Sequence, residues 1–279
     1  MSLVFAEFRE RETACLLLLY ELSKLSELFK LLIVFRIVTY NVHKCRGMDR
    51  RVRPERVAAV LRETDADIIA LQEVLSVEGF ARERHQARFI AEELAMQYHI
   101  GENRRLDGGA YGNVILSRMP FGVVNNYDIT WRGRERRGAL RADVHVRKDN
   151  SSLLLHVFNI HLGTAFIERR HQARQLVSEE ILSDKNLTGA RVVLGDFNEW
   201  THGLASRLLA EHFKSADIRQ HLRRARTYPG VLPLLHLDHI YYDRGLELKN
   251  LTLHRSRAAL IASDHLPLVA DFVLKQEGR

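Results

Sequence analysis

Short apolar runs rich in β-branched residues recur along the chain, and most of them stop at a side chain able to do acid–base or metal chemistry. The run at 34–41 stops at Asn41, 67–73 at Glu73, 153–161 at His161 and 191–196 at Asp196, with Asn198 just beyond. Asp238 opens the run 238–242, and Asp264 and His265 stand just before 268–274. Further runs at 111–117, 123–127, 140–146 and 251–254 read as strands. Helical patterns fall at 54–61, 80–97, 168–183 and 204–213. A mixture of strand–helix–strand units and consecutive hairpin-like strands predicts two packed mixed β-sheets flanked by helices. A polar group beside an apolar run is either hydrated at a sheet edge or hydrogen-bonded in a site. Strand ends on one side of a sheet form the usual binding crevice.

Composition narrows the class. The chain has 279 residues, 46% apolar and 28% charged, which is ample material for a core. Two cysteines, Cys15 and Cys45, exclude a disulfide framework, and no CxxC pair exists to bind zinc. The expected location is a reducing cytoplasm, with peripheral membrane association as its variant. A net charge of +7 favours polyanionic partners: nucleic acid, anionic lipid headgroups or phosphorylated small molecules.

Residues 1–35 read as an amphipathic helical extension to a domain over 36–279. Leu18, Leu22, Leu25, Phe29 and Leu32 recur at three and four residues. No stretch approaches the ~18 uninterrupted apolar residues of a membrane span. The polar face mixes signs, so the extension is expected to cover the domain or to mediate self-association, with a membrane-surface anchor as the alternative.

Taken together, Asn41, Glu73, His161, Asp196, Asn198, Asp264 and His265 suit a hard divalent ion acting on a phosphate. Such an ion takes oxygen ligands and keeps waters, so few carboxylates suffice. Histidine beside it hydrogen-bonds a phosphoryl oxygen or takes a proton from water. His43, His156, His239 and His254 read as structural.

TYN (39–41), LQE (71–73), HL (161–162), GDFN (195–198), Asp238 and SDH (263–265), in this order, resemble the endonuclease/exonuclease/phosphatase superfamily. YGNVILSR (111–118) and RRGALRA (136–142) resemble its central strands. The resemblance implies a four-layer α/β sandwich with its site at the top of both sheets. It implies Mg²⁺, with Mn²⁺ as a substitute, held by Glu73 with Asn41 and Asp264. By the same resemblance, Asp196 and Asn198 position or deprotonate the attacking water. His265, oriented by Asp238, and His161 contact the phosphate, while Asn41, Asn113 and Arg137 bind substrate.

The resemblance thins at the substrate. His161-Leu162-Gly163 stands where abasic-site endonucleases carry a Pro-Asn-Gly type turn, which shifts the reading toward the deoxyribonuclease-like, phosphatase and lipid-phosphodiesterase branches. Arg132, Arg134, Arg136, Arg137 and Arg141, with Trp131, form one basic cluster; Arg219, Arg223, Arg224 and Arg226 form another. They suit a nucleic-acid backbone and equally an anionic headgroup. The expectation is a metal-dependent phosphodiester hydrolase, endonuclease-like, with a phospholipid or small phosphate-ester hydrolase as the alternative. A non-catalytic scaffold is disfavoured by the intact residue set.

Overall fold

The parallel strand pairs organise the molecule. In the computed structural model, which describes residues 33–79, 81–148, 151–199, 203–216, 227–229 and 235–274, β1 (Ile33–Asn41) lies parallel to β2 (Ile68–Ser76). The crossover between them carries α1 (Pro54–Thr64), which has proline in its first turn, where no amide partner is needed, and ends on a left-handed Asp65. In the second sheet, β7 (Ser151–His161) lies parallel to β8 (Ala190–Asp196) across α3 (Phe166–Leu176). Helix α2 is Gln86–Leu94. The remaining strands are β3 (Gln97–Leu106), β4 (Gly109–Ser117), β5 (Phe121–Asp128), β6 (Gly138–Lys148), β9 (Lys214–Ser215), β10 (Asp238–Tyr242), β11 (Leu246–Leu253) and β12 (Leu268–Leu274). Helix α4 is Leu204–His212 and α5 is Ala259–Ala262.

One sheet has the order β11-β12-β1-β2-β4-β3 and the other β5-β6-β7-β8-β10-β9. Strand alternation sends Val38, Tyr40, Leu71 and Leu116 outward onto Val57, Leu61, Phe89 and Ile90 of α1 and α2. Phe158, Ile160 and Val193 turn outward onto Ala173, Leu176 and Leu209 of α3 and α4. Between the sheets lie buried apolar residues such as Ile37, Ile68, Ile115, Leu140, Val157 and Leu194. The result is the four-layer α/β sandwich that the sequence predicts, and the described residues from Val34 onward form one compact unit.

A polar lock crosses the interior. Asn159, fully buried on β7, donates to the carbonyls of Leu71 (2.8 Å) and Val114 (2.9 Å) in the other sheet. Its Oδ1 accepts from Gln72 Nε2 at 2.7 Å, and the same amide reaches Thr39 Oγ1 at 3.1 Å. Asn113 Nδ2 donates to the carbonyls of Gly138 (3.0 Å) and Asn159 (3.1 Å). These bonds sit where the β2–β4 register slips between Leu71 and Val74, setting Gln72 and Glu73 opposite Asn113 alone. Such a two-against-one mismatch is a β-bulge, which frees backbone groups from the ladder and re-aims a side chain.

Several sequence expectations differ from the structure, and the strand expected at 251–254 is the end of β11, which starts at Leu246. The run at 67–73 does not end at Glu73: the strand continues to Ser76, and the carboxylate sits in its bulge. The helix expected over 80–97 is a turn at Arg82–Arg84 followed by α2, stopped by left-handed Ala95, and Gln97 already belongs to β3. That edge strand is polar and half-exposed, so it lacks the apolar alternation that marks a buried one. The helix expected over 168–183 stops at Leu176, where Leu182 N–H bonds to the Leu176 carbonyl and the Ser183 hydroxyl to that of Val177. That turn buries Ile181 and Leu182 in the sheet core. The expected helix at 1–35, apart from its last residues, and the second basic cluster lie outside the described residues.

Asn159→Ala would remove two hydrogen bonds to carbonyls of the other sheet and the acceptor of Gln72 Nε2. At ~0.5–1.5 kcal/mol for each of these bonds, we expect urea unfolding to register a loss of about 1.5–4.5 kcal/mol. An unchanged midpoint would show that these bonds do not hold the sheets.

Candidate active site

Register brings the chemistry together. His161, the last residue of β7, is directly opposite Asp196, the last residue of β8, and Asp196 is directly opposite Asp238, the first residue of β10. Three strand ends of one sheet therefore meet on one row. In the other sheet Asn41 ends β1 opposite Gln72, with Glu73 next along β2.

Asn41 joins the two halves. Its buried amide nitrogen donates to Glu73 Oε1 (3.1 Å) and to Asp196 Oδ2 (3.0 Å), and its Oδ1 accepts from the His43 backbone N–H. The amide nitrogen of Asn41, which the resemblance placed with the metal and substrate, thus faces the Glu73 carboxylate. Glu73 has φ +58°, a left-handed conformation that costs a residue with a Cβ free energy and persists where surroundings enforce it. Its Oε2 accepts from the Tyr111 hydroxyl at 3.0 Å and lies 3.7 Å from Lys44 Nζ. Burial pushes the Glu73 carboxyl up, but the His161 ring, the Asn41 amide and the Lys44 and His43 side chains outweigh it and bring it down to about 2.

Asp196 lies between two histidines. Its Oδ2 is 3.7 Å from His161 Nε2 and 3.6 Å from His265 Nε2, while Oδ1 accepts from the Asn198 N–H at 2.8 Å. Asn198, also left-handed at φ +50°, donates its amide to the Leu162 carbonyl and so ties the GDFN turn to the loop after His161.

The two imidazoles are in opposite states. His161 Nδ1 lies 3.3 Å from Arg137 Nη1. A guanidinium only donates, so Nδ1 accepts and the proton resides on Nε2. Burial, reinforced by Arg137, lowers this imidazole to about 4 and keeps it neutral. His265 Nδ1 lies 2.9 Å from Asp238 Oδ2. Burial opposes its charge, yet Asp238 and Asp196 overcome that and raise it to about 10. The other Asp238 oxygen is buried and has no hydrogen-bond partner among the described residues.

Asp264 is only partly buried; its Oδ1 is 3.6 Å from His43 Nδ1 and takes a 3.3 Å hydrogen bond from Ser263, whose hydroxyl also bonds the Asn41 carbonyl. Arg137 is buried and pairs with Glu135, which also pairs with Arg104, and Arg104 covers the Tyr111 ring at 4.8 Å.

Of the expected residues, the structure gathers Asn41, Glu73, His161, Asp196, Asn198, Asp238 and His265 through direct contacts, with Arg137 behind His161 and Asp264 against His43. Asn113 is the exception: expected to bind substrate, it is buried between the sheets with its amide spent on two backbone carbonyls. Arg141 also turns inward, held by both oxygens of Asp143, with His156 on the same carboxylate. It supports sheet structure and adds nothing to a basic surface.

Four contributors were missed by sequence reading: His43, Lys44, Tyr111 and Tyr228. His43, Lys44 and Cys45 are three consecutive left-handed residues (φ 45°, 56° and 55°). No propensity announces such a turn, and it carries His43 and Lys44 back toward Asp264 and Glu73. Tyr111 looked like a core strand residue, although the Tyr-Gly-Asn segment had marked its strand. The Tyr228 ring packs on His265 with centroids 4.9 Å apart, across a connection without regular pattern.

Comparison with known proteins gives the fold and the family. The protein YbhP of Escherichia coli strain K12 is 30% identical over 255 residues, covering 86% of this chain and 96% of YbhP. The endonuclease/exonuclease/phosphatase from Beutenbergia cavernae superposes with a TM-score of 0.67 at 22% identity, covering 86% of this chain and 72% of that one. The human nocturnin catalytic domain, solved with a bound sulfate anion, superposes with a TM-score of 0.66 at 18% identity, covering 87% and 94%. The family model described as Endonuclease/Exonuclease/phosphatase matches residues 38–265, from β1 through His265, and the chain belongs to that family of phosphate-ester hydrolases.

Proposed function

We propose that this protein is a divalent-metal-dependent phosphodiester hydrolase. The observation that carries the reading is the row His161–Asp196–Asp238 with His265, facing Glu73 across the Asn41 amide. Hydrolysis of a phosphodiester needs an aligned water, neutralisation of charge on the phosphoryl oxygens and help for the leaving alkoxide. Asp196 is a carboxylate acceptor held between the two imidazoles and suits the water. Neutral His161 offers a fixed Nε2–H, and charged His265 offers a second N–H with a full positive charge, so both donate toward a phosphoryl group between them. Asp238 keeps His265 charged and oriented, as a carboxylate does for any catalytic histidine. Tyr111 and Asn41 hold the Glu73 carboxylate.

The donor set fits a hard cation. Glu73 and Asp264 offer carboxylate oxygens, which suit Mg²⁺ or Mn²⁺, hard ions that take oxygen ligands and keep several waters. Bound there, the ion would supply Lewis-acid polarisation of the phosphoryl oxygen.

A nucleic-acid backbone is the first substrate reading, supported by exposed Arg132, Arg134 and Arg136 beside Arg137. A phospholipid headgroup ester is the second, favoured by one feature of the surface taken up below. Hydrolysis of plasmid DNA, RNA, phospholipid and inositol phosphate substrates in Mg²⁺ separates them.

Glu73→Gln keeps shape and removes charge. We expect at least a ~100-fold loss of kcat/KM, about the effect of removing a few kcal/mol of charge stabilisation, with an unaltered circular dichroism spectrum. Near-normal rates at limiting Mg²⁺ would overturn the metal role.

The Asp238–His265 pair predicts a pH-dependent stability. A histidine whose folded value is raised stabilises fully below its unfolded value, ~6.5, and that contribution is lost as pH rises toward about 10. The Tm advantage of the unsubstituted protein over Asp238→Asn should therefore be largest near the low end of that window and shrink toward the high end. A constant gap would mean that His265 is neutral and only hydrogen-bonded.

A further inference from the structure

The residues after the left-handed turn form a tight hairpin beside the site. Arg53 N–H bonds to the Cys45 carbonyl at 2.8 Å, Gly47 N–H to that of Arg51 at 3.0 Å, and Arg46 bridges Val52 across the two arms. Its turn is closed by left-handed Arg50 (φ 63°). Two anchors fix the hairpin. Cys45 is buried in the core, and Met48 N–H bonds to the Ile261 carbonyl at 2.9 Å, three residues before Asp264. The hairpin therefore grows out of His43 and Lys44 and leans on the segment that carries Asp264 and His265.

Its outer surface combines two chemistries. Met48, Val52 and the adjoining Ile261 are 44%, 55% and 46% exposed, among the few large apolar side chains so exposed. Arg46, Arg50, Arg51 and Arg53 are exposed around them. Asp49 is taken by Arg56 at 2.9 Å, and Arg53 pairs with Glu55. Arg50 and Arg51 have no carboxylate partner among the described residues.

We propose that this hairpin, with Ile261, is a docking surface for an anionic phospholipid bilayer that sets the mouth of the site against the headgroups. Arginines around an aliphatic tip match an interface that is anionic outside and apolar within. A nucleic-acid backbone would use the arginines but offers no apolar phase for Met48 and Val52, and the hairpin has no aromatic ring to stack on a base. Among the described residues no helix is long and apolar enough to cross a membrane. This inference deepens the hydrolase reading by favouring a headgroup ester, but binding is measured without turnover, so the two stand or fall separately.

The test is co-sedimentation of the full chain, in EDTA, with vesicles of phosphatidylcholine alone or mixed in equal parts with phosphatidylglycerol. The protein should bind the mixed vesicles and not the neutral ones. At ~1 kcal/mol per arginine near an anionic surface, Arg50→Glu with Arg51→Glu should weaken partitioning at least about 30-fold. Met48→Ser with Val52→Ser should weaken it severalfold, and Met48→Trp should gain fluorescence quenched by brominated lipid. Glu73→Gln should bind as the unsubstituted protein does, whatever its activity. Equal binding to both vesicle types, or an unquenched tryptophan, would overturn the proposal. Loss on the arginine variant with full retention on the Met48/Val52 variant would also overturn it, identifying a polyanion surface without insertion.

Discussion

The site depends on one side chain that never reaches it. Asn159 belongs to the second sheet, but its amide satisfies two carbonyls of the first, at the place where β2 and β4 lose register. Its amide bonds the paired residues at the edge of the bulge, and its oxygen accepts from Gln72 within it. These bonds tie the two sheets together at the bulge, the bulge turns Glu73 into a left-handed conformation, and that conformation places the carboxylate beside Asn41 and Tyr111. Packing between sheets and placement of a candidate metal ligand are thus one feature.

Charge is arranged on the same economy. Two buried imidazoles flank Asp196 at nearly equal distances, yet one is neutral and one is charged, because each was given a different neighbour on its far nitrogen: Arg137 for His161, Asp238 for His265. Environments that push two titratable groups apart in this way divide roles between them. The cationic residues are themselves tied down. Arg137 and Arg104 share Glu135, and Lys44 lies against Glu73, so the positive charge near the site has fixed positions instead of belonging to a diffuse basic face.

The segment between β1 and α1 connects the interior of the site with the outside. Within eleven residues it supplies two side chains to the site, buries Cys45 in the core and projects an arginine-rich hairpin that exposes Met48 and Val52. Strain in its three left-handed residues is held by the Cys45 burial on one side and by a 2.7 Å bond from Gln86 to the Lys44 carbonyl on the other. An interaction at the hairpin is therefore made a few residues from the chemistry.

Most of the buried strands were legible in the sequence because a buried run has to be apolar, whereas the polar edge strand β3 carried no such signal. β10 and β12 have the bounds expected of them, and the two-sheet sandwich follows from the order of runs. Asn41, Glu73, His161, Asp196, Asp238 and His265 were legible as polar residue types beside apolar runs, since such groups are anomalous there unless they have a use. The sequence by itself thus determined the layers and the identity of most of the polar set. Tertiary structure alone decided the register that aligns His161, Asp196 and Asp238, the bulge that holds Glu73 and the turn that returns His43 and Lys44. It also turned Asn113 and Arg141 inward. Each of these rests on hydrogen bonds between residues far apart in the chain or on backbone conformations that no local preference favours, and such interactions exist only once the two sheets have met.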